Sequence, residues 1–271
     1  MKNTKSYESY LKSPYQSRKH NTYFEAYDHF FSKYRDQEIT FVEIGVLGGG
    51  SLYMWRDYFG PKARIIGIDL NPNAKKWEAE GFEIFIGSQS DIDFWSKFTK
   101  EVGLIDAVLD DGGHTYEQQI ITTESLLGSM NDHGIIVVED THTSYMDGFG
   151  PKSKSFLDYT KKLSDSINMR FEAFEKMHSE RRVWSVEIVE SMVAFRINKE
   201  VSSLISEETH NGGSFDGAEC YRWAGREEVE KFKTLYISLN FLKHIPFAKA
   251  IAQMVLNYLA GRKFKAARFF K

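Results

Sequence analysis

Residues 41–70 read FVEIGVLGGGSLYMWRDYFGPKARIIGIDL. An apolar run breaks into a glycine-rich turn at Gly45–Gly50, a segment of helical length follows from Ser51, and a second apolar run ends on Asp69. Apolar runs that alternate with helical segments predict parallel strands, because a parallel return needs a crossover and a helix supplies it. The alternation repeats four times: ITFVEIGV, SLYMWRDYF, ARIIGIDL, KKWEAEG, FEIFIG, DIDFWSKFTKEV, IDAVLDD, YEQQIITTESLLGSM and GIIVVED. The expected architecture is an α/β domain with a mostly parallel central sheet flanked by helices.

Outward from this core, residues 1–37 read as an N-terminal helical appendage, with a helix from about Thr22 to Lys33 that gathers Tyr23, Tyr27 and Phe30 on one side. The core itself is placed at 38–198. Within it, residues 141–156 carry four turn-forming residues and read as a lid or substrate loop. A helix follows from about Ser155 to Ile167, and SVEIVESMVAFRI (185–197) alternates as one or two late strands. Residues 199–271 form a C-terminal extension that ends in a basic segment. From 241 onward there are seven basic residues (Lys243, Lys249, Arg262, Lys263, Lys265, Arg268, Lys271) and no acid, so this segment is +7 and the rest of the chain −10. Ile251, Met254, Val255, Tyr258 and Leu259 recur there at helical spacing. The bland expectation is a terminal helix packed on the body or on a second subunit. The alternative is peripheral contact with an anionic membrane or acidic glycan.

Ligands of open α/β sheets bind beyond the carboxyl ends of the strands. In this sequence all five of those ends carry polar or glycine-rich chemistry. Strand one ends in Glu43, Gly45, Gly48, Gly49, Gly50 and Ser51, and strand two in Asp69 and Asn71. Strand three ends in Gly87, Ser88, Gln89 and Asp91, strand four in Asp110, Asp111 and His114, and strand five in Glu139, Asp140 and His142. A turn needs only one acid and one glycine, so LDDGGHTYE (109–117) holds more chemistry than a turn requires. As ordinary structure, Asp110 and Asp111, or Glu139 and Asp140, would cap the helices that follow them.

The glycine loop narrows the ligand. A dinucleotide loop, GxGxxG, needs its second glycine so that backbone can approach a pyrophosphate. Here Val46 and Leu47 stand at that approach. Asp69, 24 residues beyond Gly45, is placed to accept hydrogen bonds from ribose hydroxyls. Adenosine without a phosphate and with a charged amino-acid tail is S-adenosylmethionine. The carboxylates of Glu43 and Asp110 would favour its cationic groups.

Composition limits the alternatives. A chain of 271 residues with 42% hydrophobic and 27% charged residues can bury a full globular core. Cys220 is the single cysteine, so neither an internal disulfide nor a cysteine-based metal cluster is expected, and the expected compartment is the cytoplasm. The first twenty residues lack an apolar signal core, and no run approaches the length of a membrane span. The acidic body makes a nucleic-acid partner unexpected.

The stretch FVEIGVLGGGSLYMWRDYFGPKARIIGIDLNP, followed by GSQSD, DAVLDDGGHTYEQQ and GIIVVEDTHTSY, resembles the class I S-adenosylmethionine-dependent methyltransferases of the macrocin and mycinamicin sugar O-methyltransferase type. That group also takes in the rhamnosyl O-methyltransferases and the so-called cephalosporin hydroxylase family. The resemblance covers roughly residues 15–197. It implies a Rossmann-like class I methyltransferase fold and a divalent cation, normally magnesium, held by Asp111, Glu139 and Asp140. It also implies His114 as the base and Gln89, with Asp91 beside it, as adenine contacts. Glu43, Gly45, Ser51, Asp69 and Asp110 complete the expected donor site. The implied activity is methyl transfer to a hydroxyl of a sugar or glycoside, on a natural product or a surface glycan. The other readings are an NAD(P)-dependent oxidoreductase and a non-catalytic donor-binding scaffold. The aromatic N-terminal helix and the C-terminal helix are candidate interface elements of a homo-oligomer.

Overall fold

A computed structural model describes residues 3–174, 182–214, 217, 222, 225–239, 245, 247–262 and 264–270. Cys220 and, in the basic tail, Lys243, Lys263 and Lys271 lie outside the described residues. The chain divides into two compact units, Met1–Glu208 and Thr209–Lys271.

The first unit is a seven-stranded sheet in the order β3-β2-β1-β4-β5-β7-β6. Its strands are β1 (Thr40–Ile44), β2 (Arg64–Asp69), β3 (Glu83–Ile86), β4 (Ile105–Asp110), β5 (Met130–Val138), β6 (Val183–Val189) and β7 (Met192–Ile197). The first five pair in parallel, and β7 enters antiparallel between β5 and β6. The late stretch thus forms two strands, a hairpin that closes one edge of the sheet.

Helices cover both faces, which is why the strands are apolar runs and do not alternate with polar residues. On one face Phe41, Ala107, Leu109, Ile135 and Val137 pack with α3 (Gly50–Phe59). On the other, Val42, Ile44, Val108, Ile136 and Val138 pack with α4 (Ile92–Val102), α5 (Tyr116–Leu127) and α6 (Phe156–Asn168). The segment KKWEAEG becomes a 3₁₀ run, Pro72–Glu80.

The N-terminal segment belongs to the same unit as the sheet. It contributes α1 (Lys5–Lys12) and α2 (Tyr23–Phe31). Tyr27, Phe30 and Phe31 are fully buried, with Tyr27 and Phe31 packed on Trp55 at ring separations of 5.1 and 5.5 Å. Each such side chain contributes about 1.5–3 kcal/mol by leaving water. Ser9 and Lys12 of α1 both bind the Asp57 carboxylate of α3. A short helix, α7 (Lys199–Ser203), follows β7.

The second unit contains α8 (Glu227–Ser238) and α9 (Ala248–Gly261). Ile251, Met254 and Tyr258 form an exposed line along α9, at 60%, 71% and 68%, while Val229 of α8 is buried. No described helix is long and apolar enough to cross a membrane.

Candidate active site

The strand ends come out level because the ladder runs one residue past the strands. The amide of Gly45 donates to the Ile68 carbonyl at 2.8 Å, that of Asp111 to Ile44 at 2.9 Å, and that of Glu139 to Asp110 at 2.9 Å. The residues just beyond therefore open into one cavity of about 1070 Å³, lined by the glycine loop, Asp69, Gln89, Asp111, His114 and the Glu139–Asp140 pair, among others.

Gly45 has to be glycine. Its φ is +93°, and a Cβ there would lie 2.0 Å from the Asp111 carbonyl oxygen. Asp69 lines the cavity, but its carboxylate also shapes the loop. Oδ2 accepts from the Val46 and Leu47 amides at 3.0 and 2.9 Å, and Oδ1 from Asn71 at 2.8 Å. Glu43 lies beneath the loop, fully buried and outside the cavity lining. It accepts from the Ser51 hydroxyl at 2.8 Å and the Trp55 indole at 3.0 Å. Ser51 itself lines the cavity.

The turn after β4 separates its two acids. Asp110 is buried and outside the cavity lining. Its Oδ1 accepts from Gln89 Nε2 at 2.8 Å and from the Gly112 amide at 3.2 Å, while Oδ2 has no partner. Gln89 also lines the cavity, and its Oε1 takes the Gly113 amide at 2.9 Å. Both ends of the Gln89 amide thus bind the turn. Asp91 is absent from the cavity lining and caps α4, accepting from Asp93 and Phe94.

Asp111 and His114 do no capping. The start of α5 is closed by Thr115 and Gln118 in a reciprocal capping box. His114, at φ +57°, turns its Nε2 toward the acids, 3.7 Å from Asp111 Oδ1 and 3.5 Å from Asp140 Oδ2. Its Nδ1 is buried without a partner. Asp140 sits at φ +55° and makes no side-chain cap. It accepts from the Tyr23 hydroxyl, and Glu139 Oε1 accepts from the Tyr27 hydroxyl at 2.5 Å.

The part of the cavity wall that precedes α2 was not legible in the sequence. Residues Tyr15 to His20, between α1 and α2, line the cavity. Lys19 enters the acid cluster with its side chain only 1% exposed. Its Nζ donates to Asp111 Oδ2 at 2.6 Å and reaches the Glu139 oxygens at 3.3 and 3.4 Å. Burial works to lower its pKa, but Asp111, Glu139 and Glu43 outweigh it and hold the ammonium above its ordinary range. Glu139 is pushed well above the carboxyl range by burial and by Asp111, against Lys19. This cluster draws a cation.

The donor set suits a divalent ion. Asp111, His114 and Asp140 each bring a ligand atom within 4.8 Å of the others. The Asp111 and Asp140 carboxylates are the hard oxygen donors that magnesium prefers, while Glu139, the third expected ligand, is not in this group and shares the buried Lys19 ammonium with Asp111.

Two buried acids outside the cavity lining make stability depend on pH. Burial, the largest cause for each, pushes Glu43 and Asp110 up to about 7. The folded state therefore keeps protons that the unfolded chain has released, and stability falls as pH rises from the ordinary carboxyl range to about 7. Asp110→Asn removes this penalty at one group. Its stability relative to wild type is expected to rise by about 1–3 kcal/mol between pH 5 and pH 8 in metal-free protein. Urea unfolding at the two values checks this, and an unchanged difference contradicts it.

No protein-family model matches the chain. In sequence it is 35% identical over 131 residues to the 8-demethyl-8-(2-methoxy-alpha-L-rhamnosyl)-tetracenomycin-C 3'-O-methyltransferase of Streptomyces olivaceus, covering 46% of this chain and 33% of that protein. It is 32% identical over 154 residues to the mycinamicin VI 2''-O-methyltransferase of Micromonospora griseorubida, covering 52% and 38%. The alignments thus span less than half the length of these relatives. Among solved structures, the MycE methyltransferase of the mycinamycin biosynthetic pathway, in complex with Mg and SAH, superposes with a TM-score of 0.60. It shares 26% identity over 72% of this chain and 51% of that one. The fold is the Rossmann-like class I methyltransferase fold, and the chain resembles the S-adenosylmethionine-dependent sugar O-methyltransferases of the macrocin and mycinamicin type.

Proposed function

We propose that the chain is a metal-dependent O-methyltransferase that moves a methyl group from S-adenosylmethionine to a hydroxyl of a sugar or glycoside, on a natural product or a surface glycan. One observation carries the reading. Asp111, His114, Glu139 and Asp140, from two adjacent strand ends, converge on the cavity that the glycine loop and Asp69 also line. The names of its relatives, which act on rhamnosyl-tetracenomycin and mycinamicin sugars, support the acceptor class.

In this reading Gly45, Ser51, Asp69 and Gln89 form the donor side. Asp69 keeps acceptor capacity on Oδ1 for ribose, while Glu43 and Asp110 act from beneath, holding the loop and the turn in shape. Asp111, Glu139 and Asp140 would hold the magnesium ion. When bound, the ion would supply positive charge that lowers the pKa of the acceptor hydroxyl. His114 takes the proton at Nε2, the nitrogen that faces the acid cluster. Tyr23 and Tyr27 fix Asp140 and Glu139 in place. The sheet core of residues 38–198 then forms the donor-binding body, and the segment ahead of it supplies one cavity wall.

A dinucleotide reading fares worse on physical grounds. The Val46 and Leu47 amides, which would have to face a pyrophosphate, are taken up by Asp69. A second reading of His114 has a specific observation behind it: its ring lies close enough to Asp111 and Asp140 to be a third ligand instead of the base. The effect of its removal on metal affinity separates the two.

The test of the function is mass spectrometry of products from a panel of glycosides and glycans incubated with isotopically labelled donor. The expected product carries one labelled methyl on a sugar hydroxyl. Labelled methyl on protein, nucleic acid or nothing in the panel contradicts the proposed acceptor class.

A further inference from the structure

Residues 13–22, between α1 and α2, have no strand or helix of their own, yet they cross the cavity. They rest on the glycine loop. Ser13 Oγ donates to the Gly50 carbonyl at 2.8 Å, and the Tyr10 hydroxyl donates to the Ser17 carbonyl at 2.9 Å. A Cβ at residue 50 would stand 2.4 Å from the Tyr15 carbonyl oxygen and 2.7 Å from that of Gln16. The segment is therefore seated directly on backbone, and Gly50 makes the contact sterically allowed. Tyr15 packs edge-on against Trp77 at 4.6 Å.

Lys19 is what the segment delivers into the cavity. Its ammonium is a single charge on a flexible stem, within 2.6 Å of Asp111 and 3.3 Å of Glu139. Two facing carboxylates without a cation would repel each other in a low-dielectric site, and Lys19 relieves that repulsion. The same two carboxylates cannot serve a divalent ion while the ammonium stays between them, because like charges at such separations exclude one another.

We propose that Lys19 is a tethered placeholder for the divalent cation. It holds Asp111 and Glu139 in register in the metal-free chain, and the ion displaces its ammonium from between them. The inference rests on the reading of Asp111 and Glu139 as metal-holding residues. It makes metal binding a competition with a residue 92 positions away from Asp111 in the chain.

Two measurements on the full chain test it without any assay of activity. In the first, an amine-acylating reagent is applied to wild-type protein with and without saturating Mg²⁺, and peptides are read by mass spectrometry. Labelling of Lys19 is expected to increase at least about tenfold with Mg²⁺ as the side chain leaves its burial, while the exposed Lys62 serves as the unchanged reference. In the second, Mn²⁺ titration followed by electron paramagnetic resonance compares Lys19→Met and Lys19→Arg with wild type. Lys19→Met is expected to bind at least about tenfold more tightly and Lys19→Arg about equally. Unchanged or reduced Lys19 labelling, or weaker binding in Lys19→Met, overturns the placeholder. If the methionine variant does not fold, the wild-type labelling decides alone. If neither wild type nor Lys19→Met binds Mn²⁺, the metal reading itself fails, an outcome distinct from binding that leaves Lys19 buried.

Discussion

Asp111→Asn is expected to lower methyl transfer about 10³-fold or more and to abolish saturable magnesium binding in the same protein. The neutral amide removes one of the three carboxylates proposed to hold the ion, and positive charge at a reacting oxygen lowers the barrier by several kcal/mol, at about 1.4 kcal/mol per tenfold in rate. The substitution should leave the fold intact. The side chain is 22% exposed, the backbone bond from its amide to Ile44 does not depend on it, and Lys19, which loses a charged partner, keeps Glu139 at 3.3 Å. Far-ultraviolet circular dichroism and donor binding are therefore expected to match wild type, while metal titration and turnover fail together. Retained metal dependence with reduced rate would show that Asp111 has another role.

His114→Ala is expected to separate what Asp111→Asn removes together. Loss of a positioned proton acceptor costs about 10²–10⁴ in rate, with donor and metal binding unchanged. The Nε2 contacts to Asp111 and Asp140, at 3.7 and 3.5 Å, are long for hydrogen bonds, so they hold the ring near the acids without tying it to them. Imidazole in the assay is expected to restore part of the activity of the alanine variant. A tenfold or greater loss of metal affinity, with no rescue, would instead make His114 a ligand. Isothermal titration with Mg²⁺ and a rate assay on the same preparation read both quantities.

These residues could be found in the sequence because the alternation fixes where each strand ends. Once β4 and β5 are placed, Asp111, His114, Glu139 and Asp140 must emerge side by side, and they do. Other positions were harder to read for physical reasons. Asp91 ends a GSQSD turn, a position where an acid can face a ligand or cap a helix, and it caps α4. Asp110 and Glu43 precede the cavity by one layer, so their carboxylates are buried beneath the turn and the loop. The N-terminal segment carries no periodicity from Ser13 to Asn21, so nothing local indicates that Lys19 is buried among acids. Its place is set by a tertiary crossing that pairs it with Asp111 and Glu139. Helix α2 was legible as an aromatic stripe, but the hydroxyls of Tyr23 and Tyr27 acquire their role only when the helix lies across the ends of β5.

Transfer of a labelled methyl from S-adenosylmethionine to a glycoside, measured with Mg²⁺ present and again after chelation and exhaustive dialysis, tests the proposed chemistry most directly. The expected result is labelled product with Mg²⁺, a loss of about 10²-fold or more without it, and recovery when the ion is returned. Transfer at full rate after the ion has been removed would contradict it.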